Sequence, residues 1–263
     1  MAWTRQLFLY GGRTENFAAT IRPFIAAAGG SRARIALLFS TGAAGWDRYL
    51  AQYRGPSLQA GAEEVVALHP LAGTPTLGDE ARAFLSQCTG IFMCGGDTRL
   101  YHQIYAGGAA GQILLDAYRR GVPYGGLSAG ALLAPRRCLL YGDRLSTGGR
   151  RLRLRGAEDG CDAELVVGTG LGLLDGLLIE AHFSERGGYP RLIAGMQEAD
   201  VPYGLGIDDD ACVWVRDEDL IEVTGTGRVY GQRRCGPRTF EALVMERGDR
   251  HSLSRLRARG STT

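Results

Sequence analysis

The chain contains no lysine: all thirty of its Lys/Arg positions are arginine. We read that as a bias in the base composition of the coding sequence rather than as chemistry. No Cys-x-x-Cys pair occurs among Cys88, Cys94, Cys138, Cys161, Cys212 and Cys235. Zinc-site and redox-pair spacings are therefore missing, the thiols are expected to be reduced and packed, and neither a metal nor a cofactor is expected. No stretch approaches the roughly 18 consecutive apolar residues of a membrane span. The opening MAWTRQLFLYGG is too briefly apolar for a secretory leader and meets a Gly-Gly turn at once. A cytoplasmic protein with no membrane partner is the expectation. A net charge of only +2 gives no argument for nucleic acid.

What is present is length and apolar content for one domain: 263 residues, 45% hydrophobic, with forty glycines that suggest many tight strand–helix joints. Short apolar runs alternate with helical patterns. LFLYGG (7–12), RIALLFSTG (34–42), EEVVALHP (63–70), GIFMCGG (90–96) and VPYGGL (122–127) read as strands. NFAATIRPFIAAAGG (16–30), DEARAFLSQC (79–88) and LLDAYRR (114–120) read as helical, and WDRYLAQYR (46–54) as a helix stopped by Gly55-Pro56. Such alternation implies parallel strands with helices on both faces and sites at the carboxyl edge. Further on, GLGLLDGLLIEAHF (170–183) is apolar with glycine breaks, and SERGGYPRLIAGMQEA (184–199) opens a helix. The runs at 203–207, 211–215, 220–225 and 228–232 are expected as antiparallel strands extending the sheet. Residues 1–250 read as a single α/β domain and 251–263 as a basic, fraying tail.

GGLSAGALL (125–133) holds Ser128 in a Gly-x-Ser-x-Gly frame between a strand and a helix start. A tight bend there would push the hydroxyl outward, and the helix N-terminus would favour a developing oxyanion. A serine needs a base and an orienting acid. Of the four histidines, His69 precedes a proline, His102 lies in a helical stretch and His251 sits in the basic tail. His182 stands where an apolar run ends, which suits a base. Asp208, Asp209 and Asp210, just past another strand, are all candidate acids. MCGGDTRL (93–100) admits two readings that can hold together: the Gly96 amide as a candidate second oxyanion donor beside that of Ala129, and a plain turn into a helix capped by Asp97.

The ordered set MCGGDTRL, GGLSAGALL, GLGLLDGLLIEAHFSERGGYPRL and GLGIDDDACVWV resembles the S51 serine peptidases, which include dipeptidase E (aspartyl dipeptidase) and cyanophycinase. The likeness runs from about residue 90 to about 230; the first ninety residues agree only in style. It implies a flavodoxin-like sheet related to class I glutamine amidotransferases. It implies Ser128 as nucleophile, His182 as base, and the Gly96 and Ala129 amides as oxyanion donors. The family's acid is usually a glutamate; here the position is Asp209, one methylene shorter, with Asp208 or Asp210 competing. Asp143, fifteen positions after the serine, matches a dipeptidase E aspartate that assists at the site.

The cyanophycinase strings GGDQ, DQHF and R-x-R are replaced here by Thr98, by Glu180 with Ala181, and by Arg186 followed by Gly188. A dipeptidase E-like enzyme for short peptides is therefore favoured over a β-Asp-Arg peptidase. Asp97, Thr98 and above all Arg186 are expected to meet the substrate, with Arg99 and Arg191 weaker candidates for holding a carboxylate. Two readings of other classes stand beside it. One is an α/β-hydrolase esterase using Ser128, Asp208 and His251. The other is a non-catalytic module holding an anion at Gly95–Asp97 and the serine turn. A homodimer is left open.

Overall fold

The computed structural model describes residues 5–12, 17–41, 46–155 and 162–258. Cys161, Asn16 and the end of the tail from 259 lie outside them. The first half runs β1 (Gln6–Tyr10), α1 (Phe17–Thr20), α2 (Arg22–Ala27), β2 (Arg34–Leu38), α3 (Asp47–Gln59), β3 (Glu64–Leu68), α4 (Asp79–Gln87), β4 (Gly90–Met93), α5 (Thr98–Tyr105), α6 (Gly108–Arg119), β5 (Tyr124–Leu127) and α7 (Ala129–Leu133). Then follow β6 (Arg137–Tyr141), β7 (Arg144–Thr147), β8 (Arg150–Arg153), β9 (Val166–Thr169), β10 (Leu177–Ala181), α8 (Tyr189–Glu198) and β11 (Tyr203–Ile207). The chain closes with β12 (Ala211–Arg216), β13 (Leu220–Gly225), β14 (Val229–Arg234), β15 (Phe240–Met245), β16 (Arg250–Ser252) and α9 (Leu253–Ala258).

Eight strands form the main sheet in the order β16-β13-β12-β1-β5-β4-β2-β3. The segment from β3 to β1 is parallel and the rest antiparallel. The expected fold class, α/β with a mainly parallel sheet, is what is found. β3-β2-β4-β5 reproduces the flavodoxin-like order of the first four strands, and β1 takes the fifth place. Strands such as RIALL and GIFM are apolar almost throughout because helices cover both faces. One core layer gathers Leu7, Leu9, Leu38, Met93 and Tyr101; the other gathers Phe8, Phe24, Leu37 and Phe92. Phe92 touches the rings of Tyr10, Phe17, Phe24 and Tyr53.

The second half departs from expectation. β12 and β13 extend the main sheet antiparallel, as anticipated, with β16 outside them. The runs at β11 and β14 do not join it. They build a second sheet, β10-β11-β14-β15, in which β10 and β11 are parallel. Period-two apolarity marks a strand but not which sheet it enters. The expected helix stop at Gly55-Pro56 is also wrong: α3 continues to Gln59 with Pro56 inside it. Gly55 has no Cβ to meet the proline ring, and the Ser57 hydroxyl donates to the Tyr53 carbonyl at 2.7 Å. The tail is not free at 251: Arg250–Ser252 pairs with β13, and Leu253 is fully buried. Among the described residues no helix is long and apolar enough to cross a membrane.

Phe92→Ala should destabilise the protein by about 3–5 kcal/mol, because an aromatic at the centre of a packed layer leaves a cavity. Denaturant unfolding reads this as a fall in midpoint; a change under about 1 kcal/mol would contradict the packing described.

Candidate active site

The carboxyl ends of β1, β4 and β5 meet those of β10 and β11 at one edge. β4 and β5 are parallel neighbours, so the turns holding Gly96 and Ser128 lie side by side. In the second sheet Ala181 is paired with Ile207, which puts His182 and the 208–210 loop next to each other one step further on. That loop then crosses into the main sheet as β12, where Cys212 is paired with Tyr10 of β1. Register alone therefore brings the serine, the histidine and the acidic loop together.

Each turn is built for its task. Ser128 has φ 52° and ψ −109°, a backbone conformation that costs a non-glycine residue about 1–3 kcal/mol. It is held because the Ser128 amide donates to the Tyr10 carbonyl at 3.0 Å and the Tyr124 hydroxyl donates to the Gly130 carbonyl at 2.7 Å. A Cβ on Gly126 would lie 2.5 Å from the Gly130 carbonyl, so only glycine lets the helix start this close to the strand. His182 also has positive φ, 50°. The Phe183 ring fixes it by packing against Tyr189 and Tyr230 over Gly206.

Ser128 Oγ lies 2.8 Å from His182 Nε2, and His182 Nδ1 lies 2.5 Å from Asp209 Oδ1. Of the three aspartates, only Asp209 faces the ring. Asp208 is buried and accepts the Ser184 amide at 2.9 Å, and Asp210 turns the loop with φ 58°. Burial holds the His182 ring below the ordinary imidazole range, with the Arg186 charge pushing the same way and Asp209 opposing. The ring is thus kept neutral at physiological pH, able to accept a proton at Nε2.

A cavity of about 210 Å³ opens over Ser128 and His182. Gly96, Asp97, Thr98, Arg99 and Asp143 line it, as do Arg155, Arg186 and Arg191. Ala129 begins α7 and is buried; an amide at the first position of a helix has no partner four residues back. Asp97 caps α5, accepting the Arg99 amide at 2.8 Å, and it pairs with the Arg99 guanidinium. Arg191 is held by the fully buried Glu180 at 2.5 Å and donates to the Gly142 carbonyl at 2.8 Å. Among the described residues no group of three or more His, Cys, Asp or Glu is placed to hold a metal.

The esterase arrangement is not assembled. His251 lies on β16, four strands from β5, or roughly 19 Å at the usual strand spacing. His69 stacks on Trp46 and contacts the Pro70 carbonyl, and His102 lies within α5. Two residues escaped the sequence reading. Arg155 pairs with the Glu180 carboxylate oxygen that Arg191 does not take, and no motif in the sequence around it pointed to the site. Gly12 abuts the histidine–aspartate pair: a Cβ there would fall 1.7 Å from Asp209 Oδ1 and 2.6 Å from His182 Nδ1. LFLYGG signalled only a turn after a strand.

Residues 7–223 match the sequence model of peptidase family S51. Curated relatives include a cyanophycinase of Trichormus variabilis, 28% identical over 214 residues, or 80% of this chain and 66% of the relative. A cyanophycinase of Synechococcus elongatus is 30% identical over 57% of this chain and 44% of its own length. The chain thus spans no more than 66% of either relative. A crystal structure of a peptidase from an acI-B1 Actinobacterium superposes with TM-score 0.63 over 94% of this chain and 96% of its own, at 17% identity; this likeness concerns the fold.

Nuclear magnetic resonance titration of the His182 ring should give a pKa below the usual value of about 6.5. In Arg186→Gln the value should rise, since a cation that disfavours imidazolium is gone. An unchanged or lower value would contradict the electrostatics described.

Proposed function

This chain belongs to peptidase family S51, and from that premise we propose that it is a serine peptidase that hydrolyses short peptides through an acyl-enzyme. The observation that carries the reading is the 2.8 Å contact between Ser128 Oγ and His182 Nε2 on a neutral, half-buried ring. Ser128 attacks the scissile carbonyl while Nε2 of His182 takes its proton. Asp209, at 2.5 Å from Nδ1, keeps the ring in the tautomer with Nε2 free and stabilises the imidazolium as it forms. The amides of Gly96 and Ala129 receive the charge that develops on the carbonyl oxygen. His182 returns the proton to the leaving amine, and water then resolves the ester by the same steps in reverse.

The small cavity supports short substrates. Its volume is below the several hundred cubic ångströms usual for extended ligands, and arginines dominate its charge. Arg186 is the residue we assign to an acidic group of the substrate, with Asp97 and Thr98 at the mouth. Glu180 holds Arg155 and Arg191, so it is not available to the substrate as a carboxylate. The name of the curated relatives, cyanophycinase, favours a second reading, a β-Asp-Arg peptidase, and a dipeptide library containing Asp-X and β-Asp-Arg separates the two. We place the protein in the cytoplasm, where the unpaired buried thiols of Cys88, Cys94, Cys138 and Cys212 stay reduced.

Ser128→Ala should lower turnover of the best dipeptide by about 10⁴-fold or more. Undiminished hydrolysis by this variant would sink the reading. Gly12→Ala should reduce kcat by about 10²- to 10⁴-fold with little change in KM, because the added methyl displaces the Asp209 carboxylate from the ring. A kcat within threefold of the parent would show that Asp209 does not act through His182.

A further inference from the structure

The loop that carries Asp209 and the turn that carries His182 are joined by more than the contact between those two side chains. The pairing of β10 with β11 ends at Ala181 and Ile207. One further backbone bond follows it, the Phe183 amide donating to the Ile207 carbonyl at 3.2 Å. The next carbonyl along, that of Phe183, is taken by the Gly188 amide at 2.7 Å, within its own turn. Beyond that point two carboxylates take over, one from each segment. The Ser184 amide donates to Asp208 Oδ1 at 2.9 Å, and the Asp209 amide donates to Glu185 Oε1 at 3.1 Å. Glu185 does not line the cavity over Ser128, and the mechanism above makes no use of it.

We propose that Glu185 is a positioning residue: by accepting the Asp209 amide it fixes the aspartate's backbone where its carboxylate meets His182 Nδ1. This deepens the peptidase reading and rests on it. An aspartate side chain is short and settles into few rotamers, so its backbone decides where the carboxylate can reach. The other ties of the 208–210 loop run elsewhere, to the connection between β13 and β14. The Asp208 amide donates to the Arg228 carbonyl at 3.0 Å, and the Asp210 carbonyl accepts the Thr226 amide at 2.8 Å. Glu185 is the link from the Asp209 backbone to the histidine's own turn. It is also a carboxylate in an unfavourable place. Burial holds its carboxyl above the ordinary glutamate range, and the charges of Asp208 and Asp209 push the same way, while the Asp209 amide opposes them. In that setting the side chain would turn to solvent unless a donor held it, and the Asp209 amide is that donor.

The contacts close a ring. His182 meets Asp209 through side chains at 2.5 Å, and Asp209 meets Glu185 through its amide. Glu185 returns to His182 through a turn closed by the Arg186 amide, which donates to the His182 carbonyl at 3.0 Å. Gly12 bounds the carboxylate from another side. Without Glu185 the ring opens at the backbone, and the aspartate is free to leave Nδ1. His182 then loses its tautomer preference. The proton that Asp209 holds on Nδ1 is shared with Nε2, and a ring protonated at Nε2 does not take the serine proton.

The test uses Glu185→Ala, which removes the acceptor, and Glu185→Gln, whose side-chain carbonyl can accept the same amide without the charge. In protein with isotopically labelled histidine, the nitrogen shifts of the neutral His182 ring report which nitrogen carries the proton. The parent and Glu185→Gln should hold it on Nδ1, and Glu185→Ala should show a mixture of the two tautomers. On the best dipeptide, Glu185→Ala should lose about 10- to 100-fold in kcat with KM changed by less than about twofold, as for a misaligned reacting group, while Glu185→Gln stays within about threefold of the parent. A tautomer or a kcat unchanged in Glu185→Ala would overturn the proposal. So would Glu185→Gln behaving like Glu185→Ala, which would put the effect in the charge and not in the bond. If the parent hydrolyses no dipeptide, the peptidase reading fails, while the tautomer of His182 still decides the role of Glu185.

Discussion

The contact between the Ser128 hydroxyl and the His182 ring spans two sheets, and most of the architecture exists to hold it. The serine stands on the main sheet and the histidine on the second one. Each sits in a left-handed backbone conformation that its own side chain disfavours. Neither turn would hold that conformation alone. Ser128 is tied to β1 through its amide and sits above a strand–helix approach that only Gly126 permits. His182 is held by the Phe183 wedge over Gly206 and by the parallel pairing of β10 with β11. The loop between β11 and β12 connects the two sheets and delivers the carboxylate of Asp209 where they join.

Charge is distributed around this contact in opposing pairs. Burial and Arg186 hold the imidazole toward its neutral form, while Asp209, 2.5 Å from Nδ1, opposes them. Glu180, fully buried, is held between Arg155 and Arg191, which fixes two guanidinium groups in the cavity wall at a geometry that solvent does not blur. Asp143 is the exception, a buried carboxylate whose oxygens receive nothing from the described residues.

The parallel half of the fold was legible in sequence because strands buried on both faces read as unbroken apolar runs, and their glycine-marked ends fall on one edge. Ser128, His182 and the acidic loop were legible as strand-end residues, and their order along the chain matched a family. Within 208–210 the choice was not legible: three identical side chains are separated only by which one the loop turns toward the ring, and that depends on the Ser184 amide taking Asp208. The second sheet was hidden because alternating patterns do not state their partner. β7 and β8 went unseen since short strands such as RRLR lack a buried apolar face. Gly12 gave no signal of its own, because a glycine that matters by the space it leaves looks like any glycine after a strand. The family match begins at residue 7, well before the first motif the eye could find.

We propose that Ser128 is a nucleophile activated by His182, 2.8 Å from its hydroxyl. The most direct measurement is to expose the native protein to a fluorophosphonate and locate the adduct by peptide mass mapping. A single adduct on Ser128, abolished when the protein is unfolded beforehand, is the result predicted. An adduct elsewhere, or none on Ser128 in a preparation that hydrolyses dipeptides, would contradict it.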